Sequence, residues 1–311
     1  MVYNTLLNAL SKSGAFTEAL GLYQEMKKEG IAADVSTYTS MIDVLAKSGS
    51  VGVVEKALSL LYEIEDEYER TKRWELKPNV RTYTSVITAI SRSRKQNPEA
   101  AEAVLERMKS KGVEPDTICY NAVLNAWSFS SDKDKASRAV KILEEMLASY
   151  EGGSKVVKPD VITCNTIIYS FAFSHAERET ERARAMKGAV ETLEFFSRKA
   201  PEFGVPDHIS YGNLLLAITR QMPMNGKRDA FAEAAFRQCC LAGQLAPVIM
   251  HRLRLVVSPA KLKELVGVAI LRNNGRDFTF DLTKLPKEWR RNAPRGKQRG
   301  HIASRGSVRS I

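Results

Sequence analysis

The sequence predicts an all-α solenoid of stacked helix-turn-helix repeats, on three observations. A short phrase built around an aromatic residue returns six times, as Val2-Tyr-Asn-Thr-Leu-Leu7, Val35-Ser-Thr-Tyr-Thr-Ser-Met-Ile42, Val80-Arg-Thr-Tyr-Thr-Ser-Val-Ile87, Thr117-Ile-Cys-Tyr-Asn-Ala-Val-Leu124, Val161-Ile-Thr-Cys-Asn-Thr-Ile-Ile168 and His208-Ile-Ser-Tyr-Gly-Asn-Leu-Leu215. The spacing from each Tyr, or from Cys164 in its place, to the next is 35, 45, 37, 44 and 47 residues, a period that belongs to helical arrays. Between the phrases the apolar residues recur at helical spacing, twice per period.

In the first unit, residues 1–34, Tyr3, Leu6, Leu7 and Leu10 give an i, i+3, i+4, i+7 stripe; after Ser13-Gly14 comes a second stripe at Phe16, Ala19, Leu20, Tyr23 and Met26. That is a helical hairpin. Gly30 stands where a C-terminal cap belongs, and Asp34 where the next helix needs its N-cap. The second unit, 35–79, lengthens its second helix from Val51 to about Arg73 before Lys77-Pro-Asn79. In the third, 80–116, Asn97-Pro98 reads as N-cap and first helical turn. Ser149-Tyr-Glu-Gly-Gly-Ser154 reads as a flexible extension in the fourth, 117–160. The fifth, 161–207, carries a charged second helix from Glu177 to Lys199, and the sixth, 208–246, is degenerate. Residues 247–271 read as a helical cap: Val248 to about Val256, then a helix from Ala260 to about Val266 opened by Ser258-Pro259. Phe278-Thr-Phe280 suits a short strand or extended lid. Residues 272–311 read as a basic, largely disordered tail. Insertions gather at the hairpin ends while the opening phrase is kept, which marks the first helices as the functional face.

Apolar residues make up 44% of the chain and charged residues 27%, as in a soluble folded protein. No run of about 18 apolar residues suggests a membrane span. Cys119, Cys164, Cys239 and Cys240 fall inside helical patterns without metal-binding spacing, and are expected to be buried thiols in a reducing compartment. Of the formal charge of +11, +8 lies from Arg272 onward, so net charge alone says little about the repeats. No signal peptide or Arg/Ser-rich presequence is visible, since Met1 abuts the first helix; a targeting segment and earlier repeats upstream stay open.

Beside each apolar stripe, positions i, i+4 and i+8 of the first helices line one face: Asn4, Asn8, Lys12; Thr39, Asp43, Lys47; Thr84, Thr88, Arg92. Stacked hairpins set these faces along one groove, each offering a hydrogen-bonding head and then a cation suited to phosphate. The row changes at Asn121, Asn125, Phe129 and at Asn165, Tyr169, Phe173, where the cation is lost. Gly212, Leu216, Arg220 keeps the cation and loses the polar head. Asp34, Asp116, Asp160 and Asp207 precede helices and read as N-caps, a role that does not forbid contact with a ligand.

Tyr-Asn-Thr-Leu-Leu with a later Glu-Ala-Leu, then Met-Lys-Lys-Glu-Gly-Ile and a closing Asp, resembles the pentatricopeptide repeat family, RNA-binding solenoids, over residues 1 to about 246. The expected fold is therefore an all-α, right-handed superhelical solenoid of helix-turn-helix repeats. The resemblance implies that each repeat reads one base of single-stranded RNA through the residue after the Tyr and the last residue of the repeat. Carried over, the pairs are Asn4 with Asp34, Thr39 with Asn79, Thr84 with Asp116, Asn121 with Asp160, and Asn165 with Asp207. By the family's preferences they select U, A, G, U and U, a 5′-UAGUU-3′ core. Ile118, Ile162 and Ile209 match the family's apolar wedge between bases; Ser36 and Arg81 depart from it, and Arg81 suits stacking or phosphate contact instead. Lys12, Lys47 and Arg92 are the expected phosphate contacts.

The resemblance also implies a mitochondrion or plastid, with RNA-processing or ribosomal proteins as further partners. The main alternative is a protein-binding helical scaffold, but the Trp-x-x-Leu-Gly-x-x-Tyr pattern of tetratricopeptide repeats is absent from the first helices. Some members of the family carry a C-terminal nuclease or deaminase. Here no His-x-Glu with Cys-x-x-Cys occurs, the tail offers no paired carboxylates for a metal, and His175, His208, His251 and His301 stand apart. No catalytic residue, metal or cofactor is expected.

Overall fold

The computed structural model describes residues 2–93, 97–273 and 277–294. Six hairpins follow one another: α1 (Val2–Ser13) with α2 (Phe16–Lys28), α3 (Val35–Ser48) with α4 (Val53–Thr71), α5 (Val80–Arg92) with α6 (Pro98–Ser110), α7 (Thr117–Phe129) with α8 (Lys135–Glu151), α9 (Val161–Ala172) with α10 (Glu179–Arg198) and a short α11 (Ala200–Phe203), and α12 (His208–Gln221) with α13 (Gly226–Leu241). α14 (Pro247–Val256) and α15 (Pro259–Val266) close the array. Each first helix packs on the next, α1 on α3 and onward to α12 on α14, whereas the second helices lean chiefly on that row. The closely stacked row forms the inner layer of an all-α solenoid.

The Pro-Asp and Pro-Asn endings act where the hairpins meet. The side chains of Asp34, Asn79, Asp116, Asp160 and Asp207 accept from the backbone N–H three residues on, at Thr37, Thr82, Cys119, Thr163 and Ser210. In four of the five a hydroxyl returns the bond by accepting the cap's own N–H, which completes a capping box. Cys119 replaces the hydroxyl in the third junction. The Asn97–Pro98 expectation holds as well: the Asn97 side chain accepts from Ala100 N–H at 3.0 Å, with Pro98 in the first turn.

The repeated tyrosine has a second task. Tyr38, Tyr83 and Tyr120 are buried, and their hydroxyls donate to Glu63, Glu65 and Glu145 at 3.0, 2.7 and 3.0 Å. A cation from the preceding or following second helix answers each carboxylate: Lys27 to Glu63, Arg107 to Glu65 and Lys109 to Glu145. Phenol, carboxylate and cation tie neighbouring hairpins, so the ring buries its apolar body without stranding its oxygen. From repeat 5 onward Cys164, Phe196, Tyr211 and Phe236 build a largely apolar core with the cap helices.

Two expectations are corrected. Residues 149–154 are not a loose extension: α8 continues to Glu151, Gly152 and Ser154 N–H close onto Ala148 and Ser149, and Ser154 Oγ donates to Glu114 at 2.8 Å. The expected tail is folded over residues 277–294, and the strand allowed for at Phe278-Thr-Phe280 is present. β1 (Ile270–Asn273) and β2 (Asp277–Phe280) pair antiparallel, with Ile270 opposite Phe280, and 3-10 turns follow at Leu282–Lys284 and Lys287–Arg290. Leu285 is buried and Trp289 packs edge-on against Phe236 at 5.9 Å, while Leu245 N–H donates to Trp289 O. Two apolar anchors outweigh a basic composition there. Residues 274–276 and 295–311 of the expected tail lie outside the described residues.

Candidate nucleic-acid interface

Asn4, Thr39, Thr84, Asn121 and Asn165 sit one place after the repeat aromatic, or after Cys164, on α1, α3, α5, α7 and α9, where each first helix meets the next. Three of the five expected pairs are joined directly. Asn4 Nδ2 donates to both carboxylate oxygens of Asp34, at 2.9 and 3.1 Å, Asn121 Nδ2 to Asp160 at 3.1 Å, and Asn165 Nδ2 to Asp207 at 3.2 Å. The other end of each amide is held too: Asn4, Asn121 and Asn165 Oδ1 accept from the hydroxyls of Thr37, Thr163 and Ser210 at 2.7, 2.8 and 2.5 Å. The cap that starts a helix therefore also orients the preceding repeat's asparagine.

The threonine pairs are built differently. Thr39 is buried and shares a hydrogen bond with Thr82 Oγ1 at 3.1 Å, while its expected partner Asn79 is exposed and caps α5. Thr84 Oγ1 donates to Val80 O at 2.7 Å and touches Cys119 Sγ, with Asp116 capping α7 beside it. Across all five junctions, then, the residue after the aromatic contacts the third residue of the next helix. Thr37, Thr82, Thr163 and Ser210 were not singled out from sequence, and Cys119 only as a buried thiol. Their signal was the small polar or thiol residue standing just before the aromatic, or before Cys164, in copies two to six.

Ile118, Ile162 and Ile209 present large apolar side chains to solvent, at 64, 60 and 45% exposure, at the second position of α7, α9 and α12. Folding does not bury them, so they remain open to a ligand. Arg81 stands at the same position of α5, its Nη2 at 3.5 Å from Asp43. Lys12 and Arg92 are exposed in the last turns of α1 and α5. Lys47, also exposed, donates to Ser11 O at 2.7 Å, so it ties α3 to the carbonyl end of α1, where a cation is favoured.

Beyond the expected residues, Phe129, Tyr169 and Phe173 meet across repeats 4 and 5, and Arg220 lies over Phe173. Arg252 from α14 donates to Asn213 at 3.0 Å, and a Cβ at Gly212 would lie 2.9 Å from its Nη1. The polar head lost at Gly212 is thus covered by a guanidinium from the cap, whose charged form desolvation disfavours.

Among the described residues no three His, Cys, Asp or Glu side chains are placed to hold a metal, and no helix is long and apolar enough to cross a membrane. His301 lies outside the described residues. All four cysteines are buried, and burial pushes the thiols of Cys119 up to about 11 and of Cys164 and Cys240 up to about 12, so they stay protonated.

Comparison with known proteins agrees with this architecture. The PPR repeat family matches residues 1–47, a PPR repeat matches 36–68, and the pentatricopeptide repeat domain matches 68–128. A pentatricopeptide repeat-containing protein of Arabidopsis thaliana is 26% identical over 145 residues, covering 47% of this chain and 23% of the relative. The small ribosomal subunit protein mS39 of Bos taurus is 25% identical over 138 residues, 44% of this chain and 20% of the relative. The chain thus spans about a fifth of the length of these two curated relatives. Its fold is similar to the crystal structure of the maize pentatricopeptide repeat protein PPR10, with a TM-score of 0.60 and 24% identity over 85% of this chain and 33% of that one. Repeats of this kind are scaffolds for binding nucleic acid or protein rather than catalysts. The matched repeats, their spacing and the row of stacked hairpins together place this chain in the pentatricopeptide repeat family.

Proposed function

We propose that the chain binds single-stranded RNA along its first-helix face, one base per repeat, with a 5′-UAGUU-3′ core. The observation that carries this reading is the recurring Asn–Asp pair at three junctions. An amide N–H beside a carboxylate offers a donor next to an acceptor, the complement of a uracil carbonyl next to its N3–H. Asn121 with Asp160 and Asn165 with Asp207 read the last two bases, and Asn4 with Asp34 the first. At the second and third bases Thr39 and Thr84 are engaged within the protein, so discrimination falls mainly on Asn79 and Asp116. Ile118, Ile162 and Ile209 separate successive bases, while Lys12, Lys47 and Arg92 face the phosphates.

Its action is occupancy: a bound strand is shielded from nucleases and from pairing, or presented to processing, editing or translation machinery. Relatives named as mitochondrial and chloroplastic proteins support an organellar setting. A second reading, a protein-binding scaffold in an organellar ribonucleoprotein, is favoured by relatives that are ribosomal subunit proteins. Selection of bound RNAs from a random single-stranded pool at physiological salt separates the two. Enrichment of UAGUU or a near variant supports base reading. Binding that is absent, or indifferent to sequence and removed by modest salt, rejects it in favour of the scaffold.

A further inference from the structure

The cation expected at the third position of the groove row is missing from α7 and α9, and something else has been built there. Phe129 closes α7 with 49% of its surface exposed, its ring 5.2 Å from Tyr169; Tyr169 stacks on Phe173 at 4.5 Å and 30°; and the Arg220 guanidinium lies 4.2 Å from the Phe173 ring. The series crosses three consecutive repeats. It is closed at one end by a guanidinium and open at the other, where Phe129 faces the groove.

Positive charge is concentrated around these rings. Lys135 is buried, its ammonium 5.9 Å from the Phe173 ring, donating to the carbonyls of Ser130 at 2.9 Å and Ser128 at 3.5 Å. Burial lowers its pKa, and the nearby charge of Arg220 lowers it further. Arg220 and Arg252 both act on Tyr169. Among the described residues Lys135, Arg220 and Arg252 form no salt bridge to a carboxylate. The charge of Asp132 partly offsets that of Lys135, but no described carboxylate is paired to any of the three cations, and an anion arriving among them relieves their repulsion.

We propose that Phe129, Tyr169 and Phe173, with Arg220 and Arg252, form a nucleotide shelf on the first-helix face of repeats 4–6, where one base of the bound strand stacks on Phe129 and the adjoining phosphodiester meets the guanidinium groups. This rests on the reading that the chain binds single-stranded RNA, and adds to it a base contact that is indifferent to base identity. An aromatic face accepts any base, and a guanidinium already stacked on the neighbouring ring is pre-positioned to meet phosphate.

The test uses the full chain and UAGUU-containing RNA oligonucleotides extended by a few nucleotides at each end, with 2-aminopurine placed in turn at each position. At one position its fluorescence is expected to be quenched on binding and to recover with Phe129→Leu, which keeps apolar bulk and removes the π face. Affinity is expected to fall roughly tenfold in that variant, and an abasic site at the same position to lose a similar factor in the native chain only. Arg220→Gln, at an exposed side chain, is expected to flatten the logarithmic salt slope by about 0.7, the loss of one phosphate contact on a single strand. Quenching and affinity unchanged in Phe129→Leu, with UAGUU still selected, overturn the shelf alone. No binding of any strand overturns the RNA reading and the shelf with it.

Discussion

The first three repeats and the last three present the same face to the groove with different chemistry. In the first three, Lys12, Lys47 and Arg92 stand in register on α1, α3 and α5, one per helix. In the last three that register holds Phe129, Phe173 and Arg220, and further charge arrives from outside the row, from Lys135 at the start of α8 and Arg252 on α14. A cation row lost by position is regained by convergence. The interior divides one repeat later: Tyr38, Tyr83 and Tyr120 are tied by carboxylates and cations, whereas Cys164 and Tyr211 sit among apolar side chains. The amino-terminal half is joined by polar knots, and the carboxyl-terminal half by packing.

The largest expected effect tests that division. Glu65 is only 3% exposed, and it accepts from Tyr83 at 2.7 Å and from Arg107 Nε at 2.7 Å. Breaking one side of a buried pair costs about 3–5 kcal/mol. Solvent reaches half-buried Arg107 and reduces this, so Arg107→Ala is expected to destabilise the chain by about 2 kcal/mol. Lys187→Ala, which breaks the exposed pair with Glu191 on α10, is expected to stay within about 0.5 kcal/mol. Urea unfolding of both variants checks the contrast; equal losses would mean that the knots bear no special share of stability.

Next in size is the effect of the junction hydroxyls on the proposed base preference. Thr163 Oγ1 fixes Asn121 Oδ1 at 2.8 Å and also receives the Asp160 N–H at 3.1 Å. Thr163→Val removes both, and is expected to cost about 1 kcal/mol of stability through the damaged cap. It is also expected to lower the preference for uracil at the fourth base by about 1 kcal/mol, roughly fivefold, because the amide is then free to turn over. Binding to oligonucleotides carrying each base at that position separates the roles. A hydroxyl that serves only the fold weakens all four alike, whereas one that positions Asn121 narrows the gap between uracil and the rest.

These contrasts differ in how far they were legible from the residues. The hairpins and their caps could be read because periodicity and N-capping are local: Asp34 reaches Thr37 and Asn97 reaches Ala100, each over three positions. The knots could not, because Glu65 meets Arg107 across 42 positions and Glu63 meets Tyr23 across 40. In one dimension Glu63-Ile-Glu-Asp-Glu67 is a charged stretch; in the fold Glu65 points inward and Glu67 outward, where it accepts from Arg70. Arg252 was invisible for the same reason, since only the stacking of α14 on α12 brings it over Gly212. The aromatic row was visible as residues but read as a loss of charge, because the sequence does not show which distant cations return to it.

The smallest expected effect compares two tyrosines at equivalent places. Tyr120 is pushed up to about 12 by burial first and then by Glu145, and Tyr211 to about 12 by burial and its thiol neighbours. In both the folded state holds the phenolic proton above the unfolded value of about 10. The associated stability is therefore fully present below about pH 10 and is lost as pH rises from there through about 12. Tyr120→Phe and Tyr211→Phe are each expected to flatten the decline of Tm across that window, by removing one proton from the difference between the states. At neutral pH they should part. Tyr120→Phe deprives Glu145 of a donor and costs about 1 kcal/mol, whereas Tyr211 donates to no side chain among the described residues, so Tyr211→Phe should lie within about 0.5 kcal/mol of the native chain. Thermal melts of the two variants at neutral and alkaline pH read both effects. A loss at neutral pH as large for Tyr211→Phe as for Tyr120→Phe would mean that the distinction between a knotted and a packed half fails at the residue that repeats most faithfully along the chain.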